Sequence, residues 1–295
     1  MNVRRPGEGD LDEVLALCRA SDLAVYGDSD WTEAELREDW GRLEDLWVVE
    51  LDGPIAGYAS YEDRGRGRLA FDGYVQPELR GHGVGSRLVE LAEERAAGAP
   101  AGSTLETGVL RGDAAANALL SARGYDAARH FFRMVIDLDA EPRPFALPDG
   151  VVIDPLDPAD ARAVHEALQE SFADEWGFRP WSFEEFEEKR LNDPRFDQTL
   201  YLVAKDGDEV AGFALCDWKR YGDWGWVGSL GVRPAWRRRG LGEALLRAAF
   251  AELFRRGERR VALGVDVQNP TGAVRLYERA GMHVYWEAVV YRKEL

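Results

Sequence analysis

The stretch Val232-Arg-Pro-Ala-Trp-Arg237-Arg238-Arg239-Gly240-Leu241-Gly242-Glu243-Ala244 decides how the chain is read. Glycines at 240 and 242 let the backbone approach a ligand with no Cβ in the way. The helix expected from Leu241 opens with free N–H groups and the positive end of its dipole. Together these make an anion cradle, and the three arginines add donors for phosphate oxygens; a diphosphate is the kind of group that would use so many. Without flanking elements the same run is a Gly-containing turn with solvent-facing arginines. Here Trp226 to Val232 reads as a strand, and Leu245, Ala248, Ala249 and Leu253 share one face of an amphipathic helix from Leu241 to Phe254.

Outward from this loop, the chain repeats itself. At a constant offset of 157, Val232 falls on Val75, Pro234 on Pro77, Arg237 on Arg80, Gly240 on Gly83, Gly242 on Gly85 and Gly281 on Gly124. Further upstream the offset is 155, where Val210-Ala-Gly-Phe-Ala214 falls on Ile55-Ala-Gly-Tyr-Ala59. The chain is a tandem duplication. Each half runs from a helical stretch to a hairpin with an Asp-Gly turn (Leu46 to Ala59; Tyr201 to Leu215), then a strand (Leu69 to Val75; Trp226 to Val232), the Gly/Arg loop and a helix. In the second half a strand from Arg260 to Val267 and a helix from Thr271 to Arg279, leaving through Gly281, complete the order. The Pro-rich, acidic stretch 141–150 separates the halves as a linker, giving lobes 1–140 and 151–295.

The 295 residues suit two domains. With 37 basic against 54 acidic residues the net charge is −17, and the first 145 residues carry 16 and 28 of these. General nucleic-acid binding is disfavoured by that field. No apolar run reaches the length of a membrane span and the opening MNVRRPGEGD has no apolar stretch, which points to a cytoplasmic protein. Cys18 and Cys216, far apart, support neither a disulfide framework nor a zinc site, and no metal is expected.

The motif resembles that of the GCN5-related N-acetyltransferases, R/Q-x-x-G-x-G/A between the fourth strand and the next helix. Both copies match it: Arg237-x-x-Gly240-x-Gly242 and Arg80-Gly-His-Gly83-Val-Gly85. The resemblance extends through Asn269-Pro-Thr-Gly-Ala273-Val-Arg-Leu-Tyr277-Glu-Arg-Ala-Gly281-Met282 and covers most of each half. It implies an α/β fold of two tandem acyl-CoA acyltransferase lobes, each a mixed, mostly antiparallel sheet with a splayed central pair flanked by helices. It also implies acetyl-CoA as donor and a small-molecule primary amine as acceptor.

Acetyl transfer from a thioester needs a neutral amine, a donor for the oxyanion developing on the carbonyl, and a proton for the departing thiolate. The resemblance assigns the oxyanion donor to the Val232 N–H, with Leu230 beside it on the strand. The loop amides from Arg238 to Ala244, through Arg239, Gly240, Leu241, Gly242 and Glu243, with Arg237 ahead of them, would hold the pyrophosphate. Asn269 would bond the pantetheine arm or nearby backbone, and Tyr277 would bind close by and protonate sulfur; Tyr277 also reads as a core aromatic of an amphipathic helix.

In the first half Gly112 replaces Asn269 and Leu120 replaces Tyr277, so that lobe is expected to be catalytically silent. Its cradle, Val75 and Arg80, Gly81, His82, Gly83, Val84, Gly85 and Ser86, is intact and could still bind acetyl-CoA; His82 reads as one more donor or as exposed. No carboxylate lies on Trp226 to Val232, so the base is left open among Asp217 and Asp223 flanking the preceding hairpin, Asp266 in the fifth strand and Glu287 in the final strand pair, each of which also reads as a solvated or structural carboxylate. The segment from Glu170 through Asp174, Glu175 and Trp176 to Trp181 mixes aromatics with acids, a lip able to hold a cationic amine. A cysteinyl amine is an alternative acceptor, and acyl-CoA binding without transfer an alternative role. Monomer and homodimer both fit the sequence.

Overall fold

The computed structural model describes residues 1–43, 45–221 and 224–295. They form two compact units, one of Met1–Phe131 with Trp286–Leu295, the other of Phe132–Tyr285.

In the first unit β1 (Asn2–Arg4) is followed by α1 (Leu11–Tyr26), α2 (Glu33–Arg42), β2 (Asp45–Glu50), β3 (Ile55–Asp63), β4 (Arg68–Val75), α3 (Val84–Ala96), β5 (Thr104–Leu110) and α4 (Ala114–Ala122). The start of α2 is set by Thr32 and Glu35, each side chain accepting from the other's backbone N–H at 3.2 Å, which satisfies two first-turn donors. Strands β1 to β4 pair antiparallel in sequence order, and β5 joins β4 parallel. Leu69, Phe71, Val89, Leu105 and Leu120 fill the core beneath.

The second unit begins within β6 (Asp126–Asp137). It continues through β7 (Val151–Pro155), α5 (Ala161–Phe172), α6 (Phe183–Phe186), β8 (Tyr201–Asp206), β9 (Glu209–Arg220), β10 (Trp224–Val232), α7 (Leu241–Arg255), β11 (Arg260–Asp266), α8 (Ala273–Arg279) and the start of β12 (His283–Glu294). Its strand order is β6-β11-β10-β9-β8-β7. Strands β10 and β11 pair parallel there. Leu245, Leu246, Phe250 and Leu253 of α7 are buried against the sheet, each large side chain contributing roughly 2 kcal/mol.

The compact units are not cut where the sequence repeat is. Residues 132–140, inside the expected first lobe, belong with the second unit, as does the linker, while 286–295 belong with the first. There β12 pairs antiparallel with β5 from Ala288↔Leu110 to Glu294↔Thr104, and Val289 and Tyr291 enter the first unit's core. Repeat spacing reports ancestry, whereas a strand's side chains report where it is buried, and the two criteria part company at the last strand of each repeat.

Other elements fall close to expectation. The helix expected from Thr271 starts at Ala273, because Asn269 Oδ1 accepts from the Thr271 N–H at 2.8 Å and Gly272 sits at φ +74° as N-cap. Gly281 leaves α8 at φ +100°, the left-handed exit its position required.

Candidate acetyl-transfer site

Strand β10 pairs with β11 only at Gly225↔Val261 and Trp226↔Ala262, so beyond Trp226 the two diverge and leave a gap between Val227–Val232 and the end of β11. On its other edge β10 stays paired with β9 as far as Val232↔Gly212, with a register shift between Val227 and Ser229 that makes Gly228 the extra residue of a bulge. The Arg233 N–H goes to Ala211 O at 3.0 Å, toward β9. Strand alternation therefore turns the Val232 N–H the other way, toward the gap. Leu230 packs partly buried against the core on the same strand.

At the end of β10 the chain makes a short turn over Pro234–Trp236 and enters α7 through Arg238 at φ +61° and Gly240 at φ +83°. These left-handed residues turn the backbone into α7, whose first two amides, Leu241 and Gly242, carry no backbone hydrogen bond among the described residues. The N–H groups of Glu243 and Ala244 fold back to Gly240 O at 3.1 Å. Gly242 is required by packing as well, since a Cβ there would stand 2.9 Å from Leu276 Cδ1 on α8. Arg238 and Arg239 are exposed and carry no hydrogen bond or ion pair among the described residues. Arg237 is a strut: its Nε donates to Val232 O at 3.0 Å and its Nη2 to Ser171 O at 3.1 Å, tying the loop to the end of α5. Glu243 is buried and pairs with Arg247 at 3.0 Å. From the linker, Phe145 lies over the cradle, with its Cε1 3.0 Å from a Cβ at Gly240.

Tyr277 projects from α8 into the second unit's core, and among the described residues its hydroxyl carries no hydrogen bond. Burial, with the negative charge of Glu175 adding, pushes its phenol well above the ordinary value, so it stays protonated. Asn269, on the turn after β11, donates from Nδ2 to Glu175 Oε1 at 2.9 Å while its Oδ1 holds Thr271. Burial raises the Glu175 carboxyl, Asp266 raises it further, and the Asn269 hydrogen bond opposes both. A half-buried carboxylate, an amide and a phenol thus converge at the end of β11. Glu175 belonged in the sequence reading only to the acceptor lip; the ninety-four-residue separation from Asn269 hid the pairing.

The four carboxylates considered as base separate clearly. Asp217, on β9 opposite Trp226, is raised by burial against the pull of Arg190, Arg220 and Arg195. Asp266 accepts from the Gln268 N–H at 2.8 Å beside Glu175. Asp223 lies outside the described residues. Glu287 lies in the first unit, held by His130 and Arg111; their hydrogen bonds outweigh burial and keep its carboxyl below the ordinary value. Both thiols, Cys18 and Cys216, are buried, and burial pushes each well above its ordinary value. Neither can serve as a nucleophile.

The lip turns its aromatic rings inward. Phe172, Phe178, Trp181 and Phe183 pack on the core of α5 and the sheet, and the faces of Phe183 and Trp181 already meet Arg162, Lys189 and Arg190.

The first unit repeats the backbone geometry with different side chains at two positions, Gly112 for Asn269 and Leu120 for Tyr277. Its parallel pairing stops at Ala70↔Glu106, Val75 ends β4, and Gly81 and Gly83 both sit at φ +83° before α3, where Val84, Gly85 and Ser86 form the first turn. Arg80 pairs with Asp113 at 3.0 Å and His82 Nδ1 lies 3.2 Å from Arg80 O, so both side chains are engaged within the protein. Leu120 is buried in the core where the repeat places Tyr277. Among the described residues no helix is long and apolar enough to cross a membrane, and no group of three or more His, Cys, Asp or Glu could hold a metal ion.

The pattern describing the Acetyltransferase (GNAT) family matches residues 11–125 and again 162–282. The chain belongs to this family. Mycothiol acetyltransferase of Geodermatophilus obscurus is 34% identical over 298 residues, covering 95% of this chain and 93% of the relative. The enzyme of that name from Kineococcus radiotolerans is 34% identical over 288 residues, covering 94% and 91%. Among solved structures, a GCN5-related N-acetyltransferase from Sphaerobacter thermophilus superposes with a TM-score of 0.88 at 34% identity, over 99% of this chain and 95% of that one. A tandem GNAT protein from the clavulanic acid biosynthesis pathway gives 0.79 at 18% identity over 99% and 98%, a likeness of fold. The chain is an acetyltransferase of the tandem type.

Proposed function

We propose that the second unit moves an acetyl group from acetyl-CoA to the primary amine of a small molecule by direct attack, in the cytoplasm, and that the first unit is catalytically silent. The observation that carries this reading is the divergence of β10 from β11 beside a cradle of free first-turn amides. A pyrophosphate fits there: the amides of Leu241 and Gly242 and the exposed Arg238 and Arg239 supply unpaired donors, and a Cβ at Gly240 or Gly242 would crowd Phe145 or Leu276. Acetyl-CoA would supply the activated acyl group. The Val232 N–H is positioned to stabilise the carbonyl oxyanion, Tyr277, kept protonated, to hand its proton to sulfur, and Asn269 with Glu175 to bound the far side of the gap.

Calorimetric titration with acetyl-CoA tests this, with Gly83→Glu and Gly240→Glu variants beside the native chain. Loss of turnover with Gly240→Glu but not with Gly83→Glu is expected; absence of any acetyl-CoA binding to the native protein would sink the reading. Two binding sites, one lost in each variant, would make the first unit a retained binding domain.

A second reading takes the cysteinyl amine of a mycothiol precursor as acceptor. The two relatives above, named mycothiol acetyltransferase and matched over nearly their whole length, favour it. A protein that binds acyl-CoA without transfer would instead be indifferent to Tyr277→Phe.

A further inference from the structure

A cavity of about 270 Å³ opens beside the Gly228 bulge of β10. Its position follows from the sheet: Asp217 on its wall is the antiparallel partner of Trp226, and Trp226 holds the last parallel pair before the gap opens. The cavity therefore flanks the point where β10 and β11 part.

Its charge runs against that of the protein. In a chain of net charge −17, this one cavity is lined by Lys189, Arg190, Arg195 and Arg220 against two carboxylates. Arg195 is bound to Asp193 at 2.9 Å. Lys189, Arg190 and Arg220 have no carboxylate within ion-pair distance among the described residues. They are placed by aromatic rings and hydroxyls instead. Lys189 lies 5.6 Å over Trp181 and Arg220 4.9 Å over Tyr221, while Arg190 Nη2 donates to Ser229 Oγ at 3.3 Å. Four cations against two carboxylates leave an excess of positive charge in a partly enclosed space, and a ligand anion would offset this while gaining charge-assisted hydrogen bonds. The fixed fork of a guanidinium suits a carboxylate or phosphate oxygen pair.

The remaining carboxylate, Asp217, feels the pull of Arg190, Arg220 and Arg195 without forming an ion pair with them among the described residues. Asp217 Oδ2 lies only 3.2 Å from where a Cβ on Gly228 would be, so the bulge glycine is what leaves room for it. We propose that this cavity is the acceptor subsite and that the acceptor is a small zwitterion, a primary amine carrying a carboxylate or phosphate, its anion on Arg190 and Arg220 and its ammonium on Asp217. This rests on the acetyl-transfer reading above. Asp217 takes one proton from the ammonium and releases it to solvent. The neutral amine then forms the C–N bond as the C–S bond breaks, sulfur takes its proton from Tyr277, and the second nitrogen proton returns to Tyr277. One proton is released per acetyl moved. Burial, which raises the Asp217 carboxyl, makes it a better acceptor for that first proton.

The test uses the full chain with acetyl-CoA and four amines of similar size: β-alanine, phosphoethanolamine, ethanolamine and ethylenediamine. One of the two anionic amines is expected to exceed the neutral and cationic ones at least tenfold in kcat/KM, and which of them wins decides between carboxylate and phosphate. Arg220→Gln and Arg190→Gln should each raise its KM at least tenfold while leaving the KM for acetyl-CoA unmoved. Preference for ethanolamine or ethylenediamine, or an unchanged KM in both variants, would overturn the proposal. Where no amine of the four turns over, the same titrations followed by quenching of tryptophan fluorescence decide: binding of neither β-alanine nor phosphoethanolamine overturns it too. Failure of the parent reading is separate, because it appears as absent acetyl-CoA binding.

Discussion

Asn269 donates from Nδ2 to Glu175 at 2.9 Å, while its own carbonyl oxygen fixes the turn into α8. One side chain thereby holds a carboxylate from the loop after α5 and the helix that carries Tyr277. Glu175 is raised by burial first and by Asp266 second. A carboxyl whose folded pKa is raised contributes stability that is fully present below its unfolded value and is lost as pH rises through the folded one. Glu175→Gln keeps the acceptor for Asn269 and removes the ionisation, so its melting temperature relative to the native protein should rise as the pH climbs above the ordinary carboxylate range. A difference in melting temperature between the two proteins that does not change with pH would refute this.

Tyr277→Phe is expected to lower kcat by about a hundredfold to ten-thousandfold, the usual span for a lost general acid, with acetyl-CoA affinity unchanged. Burial keeps the native phenol protonated, so the native rate profile should show no alkaline limb from this residue below about pH 10. Stopped thiol-release assays across pH check both statements.

Gly242→Val places new atoms where a Cβ would already be 2.9 Å from Leu276 Cδ1. Overpacking of this kind costs about 1–3 kcal/mol. The corresponding Gly85→Val meets Leu119 Cδ2 only at 3.4 Å and should cost less. Urea denaturation of the two variants measures the difference, and equal losses would count against the packing argument.

Arg238→Gly should move stability and binding in opposite directions. Arg238 holds φ +61° where the first copy has Gly81 at φ +83°, and relief of the left-handed strain is worth about 1 kcal/mol. Removing an exposed cation from the cradle should weaken acetyl-CoA binding several-fold. Calorimetry and thermal melts on one preparation give both values.

Much of this was legible in one dimension. The offset of 157 set Gly83 and Gly240 as equivalent, and both adopt φ +83° before a helix, because a turn that opens amides onto an anion leaves few conformations. Leu120 in place of Tyr277 was equally visible and is buried as expected of leucine. What stayed hidden depends on distance along the chain. The motif placed Arg237 among phosphate donors, yet two of its donors serve the carbonyls of Val232 and Ser171. The aromatic lip suggested a cationic guest, but its rings already carry the protein's own cations, and the cation-lined cavity draws on residues from 181 to 228 that no local spacing connects.

The chain passes into its second unit at Phe132 and returns to the first at Trp286. A duplicated gene ordinarily frees one copy to decay or to be discarded. Here the closing strand of the first unit is encoded beyond the second repeat, and residues 132–137 of the second unit are encoded in the first, so deleting either repeat would strip a strand from the survivor. The half with leucine at that position is therefore tied to the half with tyrosine.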